Sequence, residues 1–215
     1  LEKGEISENR LAESVKKILK TKYLLGLQNL KSINSENINE DLNNASHAEL
    51  SEKLYSNAIT LLKDEKNLLP LSCSETYYYL PLEEAPFQTF VENLNLGTTA
   101  KVISKNEIAQ IPENSTVIVG FHKDNSTAYK PYKISDSSKK VLSDLSKNQT
   151  VILDVFGSPY ALKDIDISKV STVLVSYENN DDAMKATASG LLGQTKIWGR
   201  LPVLVNDNLK FGIGM

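Results

Sequence analysis

Two histidines and one cysteine are all that this 215-residue chain offers for imidazole or thiol chemistry. His122 is followed by Lys123 and Asp124, directly after the apolar run STVIVGF, where loops often display functional groups. A general base needs an acid to orient it, and no acid partner stands at a fixed spacing from His122. The residue therefore reads as a surface or domain-contact group, with a substrate-facing role as the alternative. His47 lies inside Ser46-His47-Ala48-Glu49, a Ser-x-x-Glu capping box, and reads as an exposed first-turn residue rather than a catalytic group or metal ligand. Ser158, in Gly157-Ser158-Pro159, lacks the GxSxG setting of a nucleophile. Glu178, Asp181 and Asp182 stand where a strand hands over to a helix, and negative side chains favour a helix N-terminus, so they read as caps before they read as acid or base. Trp198 could offer a stacking face to a sugar but reads first as a packing residue. Arg200, between Gly199 and Leu201, reads as an ion-pair or domain-contact group. The residues alone thus assign no catalytic group and no metal site, and leave His122, Lys123, Asp124, Trp198 and Arg200 as candidates for a substrate cleft or a domain interface.

Composition narrows the function further. A net charge of −3 with scattered Lys and Arg argues against a face for a phosphate backbone, hence against nucleic-acid binding. Cys73, the single cysteine, excludes an internal disulfide and a cysteine metal cluster. Neither GxGxxG nor GxxxxGK[ST] occurs, so no cofactor is expected. No apolar run reaches the ~20 residues that span a bilayer. The opening LEKGEISENR has neither Met nor signal-peptide character and is expected of an internal cut in a longer protein.

The candidates need elements to position them. SENRLAESVKKILKTKYLLGL spells an amphipathic helix with Ser7 as N-cap, Leu11, Val15, Ile18 and Leu19 on one face, and Gly26 as stop. Asn-rich residues 28–45 read as a linker. A second helix with Leu50, Leu54 and Ala58 on one face runs into AITLLKDEKNLLPL (58–71), which predicts a hairpin. From residue 76 onward strands and helices alternate: TYYYL, FQTFVENLNL, AKVIS, NEIAQI, STVIVGF, SDSSKKVLSDLSKN, TVILDVF, VSTVLVSY, DDAMKATASGLLG and a last strand RLPVLV. Continuous Val/Ile/Leu strands between helices predict a mostly parallel sheet covered on both faces. The expected fold is a three-layer α/β/α sandwich, flavodoxin-like, preceded by an amphipathic helix and a linker.

The order LAESVKKILKTKYLLGL, HAELSEKLYSNAITLLKDEKNLLPL and, about 130 residues later, GRLPVLV resembles the second domain of glycoside hydrolase family 3 along nearly the whole chain. The middle, VIVGFHKDNSTAYKPYKIS, VILDVFGSPYALKDI and VLVSYENNDDAMKATASGLLG, is similar to sandwich domains of the β-N-acetylglucosaminidase branch. The resemblance implies a division into residues 1–27, the last helix of an upstream (β/α)8 barrel, a linker over 28–45, and the sandwich over 46–215. It implies a retaining mechanism whose nucleophilic Asp belongs to the barrel. In the β-glucosidase branch a sandwich loop supplies a Glu acid/base. FHKDNSTAYKPYK contains no Glu, and Asp124 does not match that residue. In the hexosaminidase branch a His/Asp pair of the barrel donates the proton, so neither His47 nor His122 inherits a role. The implied partners are the barrel of the same polypeptide and, through it, a glycoside of N-acetylglucosamine. The implied location is the bacterial periplasm or envelope. A free-standing carbohydrate-binding or scaffolding module would instead need Tyr77, Tyr78, Tyr79, Tyr129, Tyr132 and Trp198 gathered on one exposed surface. The equivalent domain of a family 3 β-glucosidase is the other alternative.

Overall fold

The computed structural model describes residues 3–32, 34–124 and 132–215. The chain divides into two compact units, residues 1–44 and 45–215. In the first, helix α1 (Glu8–Leu24) starts at Ser7, whose hydroxyl accepts from the Arg10 amide at 3.2 Å, and stops before Gly26 in the left-handed region (φ 71°). A 3-10 turn (Leu27–Asn29) and the short helix α2 (Ile38–Leu42) follow. None of the α1 residues is buried, and Leu11, Val15, Ile18 and Leu19 form an open apolar stripe.

The second unit is a six-stranded sheet in the order β1-β6-β5-β4-β2-β3, built from β1 (Thr60–Asp64), β2 (Thr76–Leu82), β3 (Thr99–Val102), β4 (Thr116–His122), β5 (Thr150–Phe156) and β6 (Thr172–Val175). All pairs are parallel except β1 with β6. Helices α3 (Ala45–Ala58), α4 (Gln88–Leu94) and α6 (Asp181–Leu191) stand on one face, and α5 (Asp136–Asn148) on the other. Period-two alternation divides β4 accordingly. Val117, Val119 and Phe121 join the core under α5, whereas Ile118 lies with Tyr79, Phe90 and Phe156 under α4 and α6. The expected three-layer sandwich with a mostly parallel sheet is therefore the observed fold.

Four local expectations are corrected. The 58–71 segment is not a hairpin: β1 pairs with β6, and the Asp64 carboxylate accepts from the amides of Leu68 and Leu69 (3.0 and 3.3 Å) and from Thr172 Oγ1 (2.8 Å). That side-chain acceptor takes the amides a second strand limb would have used. The 200–205 segment is not a strand of the sheet either. It folds back on residues 212–213 through Leu201, and buries Leu201 and Val205, with Leu209 beyond it, under the α5 face. Ser46 lies inside α3, which starts at Ala45, instead of capping it. Finally, α3 turns Ser51 and Tyr55 toward α6, leaving Leu50 and Leu54 exposed.

Among the described residues no helix is long and apolar enough to cross a membrane.

Candidate functional site

Because β2, β4, β5 and β6 run parallel, their C-terminal ends share one rim, where ligands of such sheets usually bind. His122 is the last residue of β4 and faces the α4/α6 side with Ile118. It is fully buried, not a surface group. Its ring stacks on Phe156, centroids 4.5 Å apart and 9° from parallel. Nδ1 lies 2.6 Å from Asn179 Oδ1, and Nε2 meets the Tyr79 hydroxyl. Asn179 Nδ2 donates to the Pro86 carbonyl at 2.8 Å, which fixes the amide with its oxygen toward the imidazole. The imidazole must then carry its proton on Nδ1 and accept from Tyr79 at Nε2. Burial, only partly opposed by the Asn179 bond, lowers its pKa to about 4, so the ring is neutral.

Lys123 is also buried, and its ammonium reaches Glu83 at 3.0 Å and Glu84 at 3.2 Å. Burial alone would lower the lysine pKa, but the two carboxylates outweigh it and raise the value. For Glu83, burial works upward, yet hydrogen bonds from Ser138, Ser135 and Lys123 prevail and hold the carboxyl at about 2. Glu83 Oε1 accepts from the Ser135 hydroxyl (2.7 Å) and amide (3.2 Å), tying the end of β2 to the start of α5. Glu83→Gln should therefore cost about 3 kcal/mol in urea unfolding at pH 7, because it leaves a buried ammonium short of its nearer carboxylate. Above the ordinary carboxylate pKa this contribution is complete, and it fades as pH falls toward 2, so the two proteins should converge in acid.

Asp124 is half-buried, and the loop that follows (125–131) lies outside the described residues. Trp198 is 59% exposed, with the Lys196 ammonium 3.8 Å from its ring centroid. The exposed Arg200 guanidinium donates to the Gly214 carbonyl. Gly199, between them, packs on the backbone of Ala58 and Ile59 at the β1 edge. Three strand spacings, about 14 Å, separate that edge from β4. The five candidates thus form two groups, not one constellation.

The remaining acidic candidates are tied down. Asn180, not a carboxylate, caps α6, its Oδ1 accepting from the Ala183 amide at 2.9 Å. Asp181 accepts from Thr89 (2.7 Å), Asp182 from Ser51 (2.5 Å), and Glu178 from Tyr55 and Asn180. These bonds fasten α6 to α4 and α3. Ser158 opens a 3-10 turn, Cys73 and His47 are exposed, and no metal-holding cluster occurs among the described residues. Tyr77 and Tyr79 are buried and Tyr78 is half-buried, so the described aromatics do not make one exposed surface; Tyr129 lies outside the described residues. A cavity of about 320 Å³ lies at the rim between Glu84, Pro86, Phe87 and Gln88. Two larger cavities, about 610 and 480 Å³, open toward the opposite end of the sheet.

Glu83, Asn179 and Asp154 were not singled out by any spacing. Asp154 had a signal, a carboxylate inside the apolar run TVILDVF, and Gly120 had another, a glycine inside a strand. Asp154 is fully buried and bonded to Ser176 (2.8 and 3.0 Å). Burial raises its pKa to about 7 against the opposing hydrogen bonds of Ser176 and Val155.

No protein-family model matches the chain. Beta-glucosidase C of Emericella nidulans is 26% identical over 204 residues, which cover 93% of this chain and 32% of that protein. Among solved structures, the beta-glucoside phosphorylase BglX superposes with a TM-score of 0.69 at 22% identity, covering 98% of this chain and 41% of the other. A glycoside hydrolase family 3 beta-N-acetylglucosaminidase from Paenibacillus sp. str. FPU-7 gives 0.64 at 21%, covering 96% and 41%. The chain therefore spans about a third of the curated relative and two fifths of these structures. Over nearly its whole length it is similar to one part of glycoside hydrolase family 3 proteins, a β-glucosidase, a β-glucoside phosphorylase and a β-N-acetylglucosaminidase alike, and it shares the sandwich fold of that part.

Proposed function

We propose that this chain is the non-catalytic sandwich half of a retaining family 3 glycoside hydrolase acting on terminal N-acetylglucosamine. Residues 1–27 would end an upstream (β/α)8 barrel, 28–45 would link, and 46–215 would wall one side of the substrate cleft. The observation that carries this reading is the match itself: more than nine tenths of this chain against 41% or less of longer relatives. The open apolar stripe of α1 supports it, because such a face suits a helix of a barrel's outer ring. So does the bonding at the rim. His122 is neutral and bonded on both nitrogens, which suits a positioning group better than a proton donor.

The test compares this chain with a version extended upstream through the barrel, on 4-nitrophenyl β-N-acetylglucosaminide and 4-nitrophenyl β-glucoside. Turnover of the acetamido sugar by the extended protein alone is expected. Turnover by the 215-residue chain itself would overturn the non-catalytic reading. A second reading, the same domain of a β-glucosidase, is favoured by the 26% identity to Beta-glucosidase C. Preference for the glucoside would establish it.

A further inference from the structure

Two residues with side chains hold left-handed backbone at the rim: Glu83 (φ 74°), directly after β2, and Tyr177 (φ 66°), two residues after β6. Such conformations cost about 1–3 kcal/mol each and persist only where surrounding contacts over-determine them. Glu83 is held by Lys123 and Ser135, and the Tyr177 hydroxyl by Thr60, while the loops that these residues open both reach one side chain. His122 bonds Tyr79 in β2 through Nε2 and Asn179 in the 177–180 turn through Nδ1. Asn179 passes the link to the Pro86 carbonyl, and the His122 carbonyl takes the Ala85 amide at 3.2 Å. The Tyr79, Phe87 and Phe156 rings enclose the imidazole, which leaves it no alternative position. One buried ring therefore orients the Asn179 amide that bonds the two loops directly, next to the Thr89–Asp181 bond that fastens α4 to α6.

We infer that His122 is the positioning residue of the rim, clamping the 83–87 loop to the 177–180 turn through Asn179 and so shaping the cavity at Glu84, Phe87 and Gln88. This rests on the cleft-wall reading above as far as substrate is concerned; the clamp itself does not. The Nδ1 proton donates to Asn179, the Asn179 amide donates to Pro86, and the Tyr79 hydroxyl donates to Nε2. Each member has one orientation that satisfies its neighbours, so the chain transmits position and holds no mobile proton.

The experiment uses this 215-residue chain. Nitrogen-15 NMR of the imidazole is expected to show the Nδ1–H tautomer, unchanged from pH 8 to pH 5. Tyr79→Phe combined with His122→Phe removes both polar partners while keeping two rings in place, which spares the core an unsatisfied group. Asn179→Ala cuts the same chain at a half-buried position. In both variants, amide exchange over 83–88 and 177–180 should quicken at least tenfold, with 150–156 unaffected. Unchanged exchange at the rim, or an Nε2–H tautomer, overturns the clamp. In the extended protein the same variants should raise KM for the N-acetylglucosaminide about fivefold and leave kcat alone. Faster exchange with KM unmoved would overturn the link to substrate. If the extended protein hydrolyses neither glycoside, the proposed function fails while the exchange result still decides the clamp.

Discussion

Gly120→Ala is expected to destabilise the sandwich by about 3–5 kcal/mol. A Cβ at position 120 would overlap the Tyr79 hydroxyl and come within 2.6 Å of His122 Nε2. Neither group can retreat. Tyr79 is fully buried, with its ring 5.2 Å from Phe90 and 6.0 Å from Phe87, and His122 is stacked on Phe156. Position 120 pairs with Pro81 and Asp154, so the strands would have to part or the Tyr79–His122 bond would have to break. The second course leaves a buried hydroxyl and a buried ring nitrogen unsatisfied, at about 1–3 kcal/mol each. Urea unfolding of Gly120→Ala, alone and with Tyr79→Phe, separates the causes. Tyr79→Phe removes the obstructing oxygen and should recover roughly half of the loss. Wild-type stability in Gly120→Ala alone would mean that the hydroxyl and the imidazole are not apposed as described.

Asp154→Asn should do the opposite and stabilise the protein, by about 4 kcal/mol above pH 7. Asp154, Ser176, Thr187 and the Ala183 carbonyl form three consecutive contacts that share only two hydroxyl protons. A protonated Asp154 supplies the third proton, whereas an ionised one leaves a contact without any. This agrees with a carboxyl raised by burial to about 7. The unfolded chain ionises near 3.8, so the folded state binds the extra proton between roughly pH 4 and 7, and its stability falls as pH rises through that window. His122 has the reverse sign. Its folded pKa near 4 lies below the ordinary 6.5, so its contribution is complete above pH 6.5 and is lost as pH falls toward 4. The two buried neutral groups therefore nearly cancel across pH 4–6.5. In Asp154→Asn the amide can still donate to Ser176, and the histidine's dependence stands alone. Denaturant midpoints should climb steeply between pH 4 and 6.5 in the variant and stay nearly level in the wild type. Equal pH profiles would show that Asp154 is already ionised in the folded state.

The sandwich was readable because its strands are written almost without interruption. VIVGF, VILDVF and VLV lie buried on both faces, and Ser135 begins α5 as the sequence suggests. The misread elements are those whose partners lie far away in the chain. Thr60–Asp64 resembles half of a local hairpin, but its pairing partner is β6, more than a hundred residues on. RLPVLV has strand composition, yet its bonds go to residues 212–213. The rim divides in the same way. His122 could be placed directly after the β4 run from sequence, but its burial could not, because Tyr79, Phe87 and Asn179 converge on it from three other segments. Lys123 and Glu83 became partners only once β2 and β4 were neighbours.

The antiparallel edge has a consequence for how the protein is made. Of the six strands of this sheet β1 is synthesised first, but its hydrogen-bonding partner, β6, is synthesised sixth. The Leu61 carbonyl waits longer still, for the amide of Met215. Loop closure over such a separation is entropically costly and slow, so the edge should be the final part of the sheet to lock during synthesis. Until then β6 offers an unpaired edge to solvent, and that interval is when a nascent chain most needs shielding from other chains.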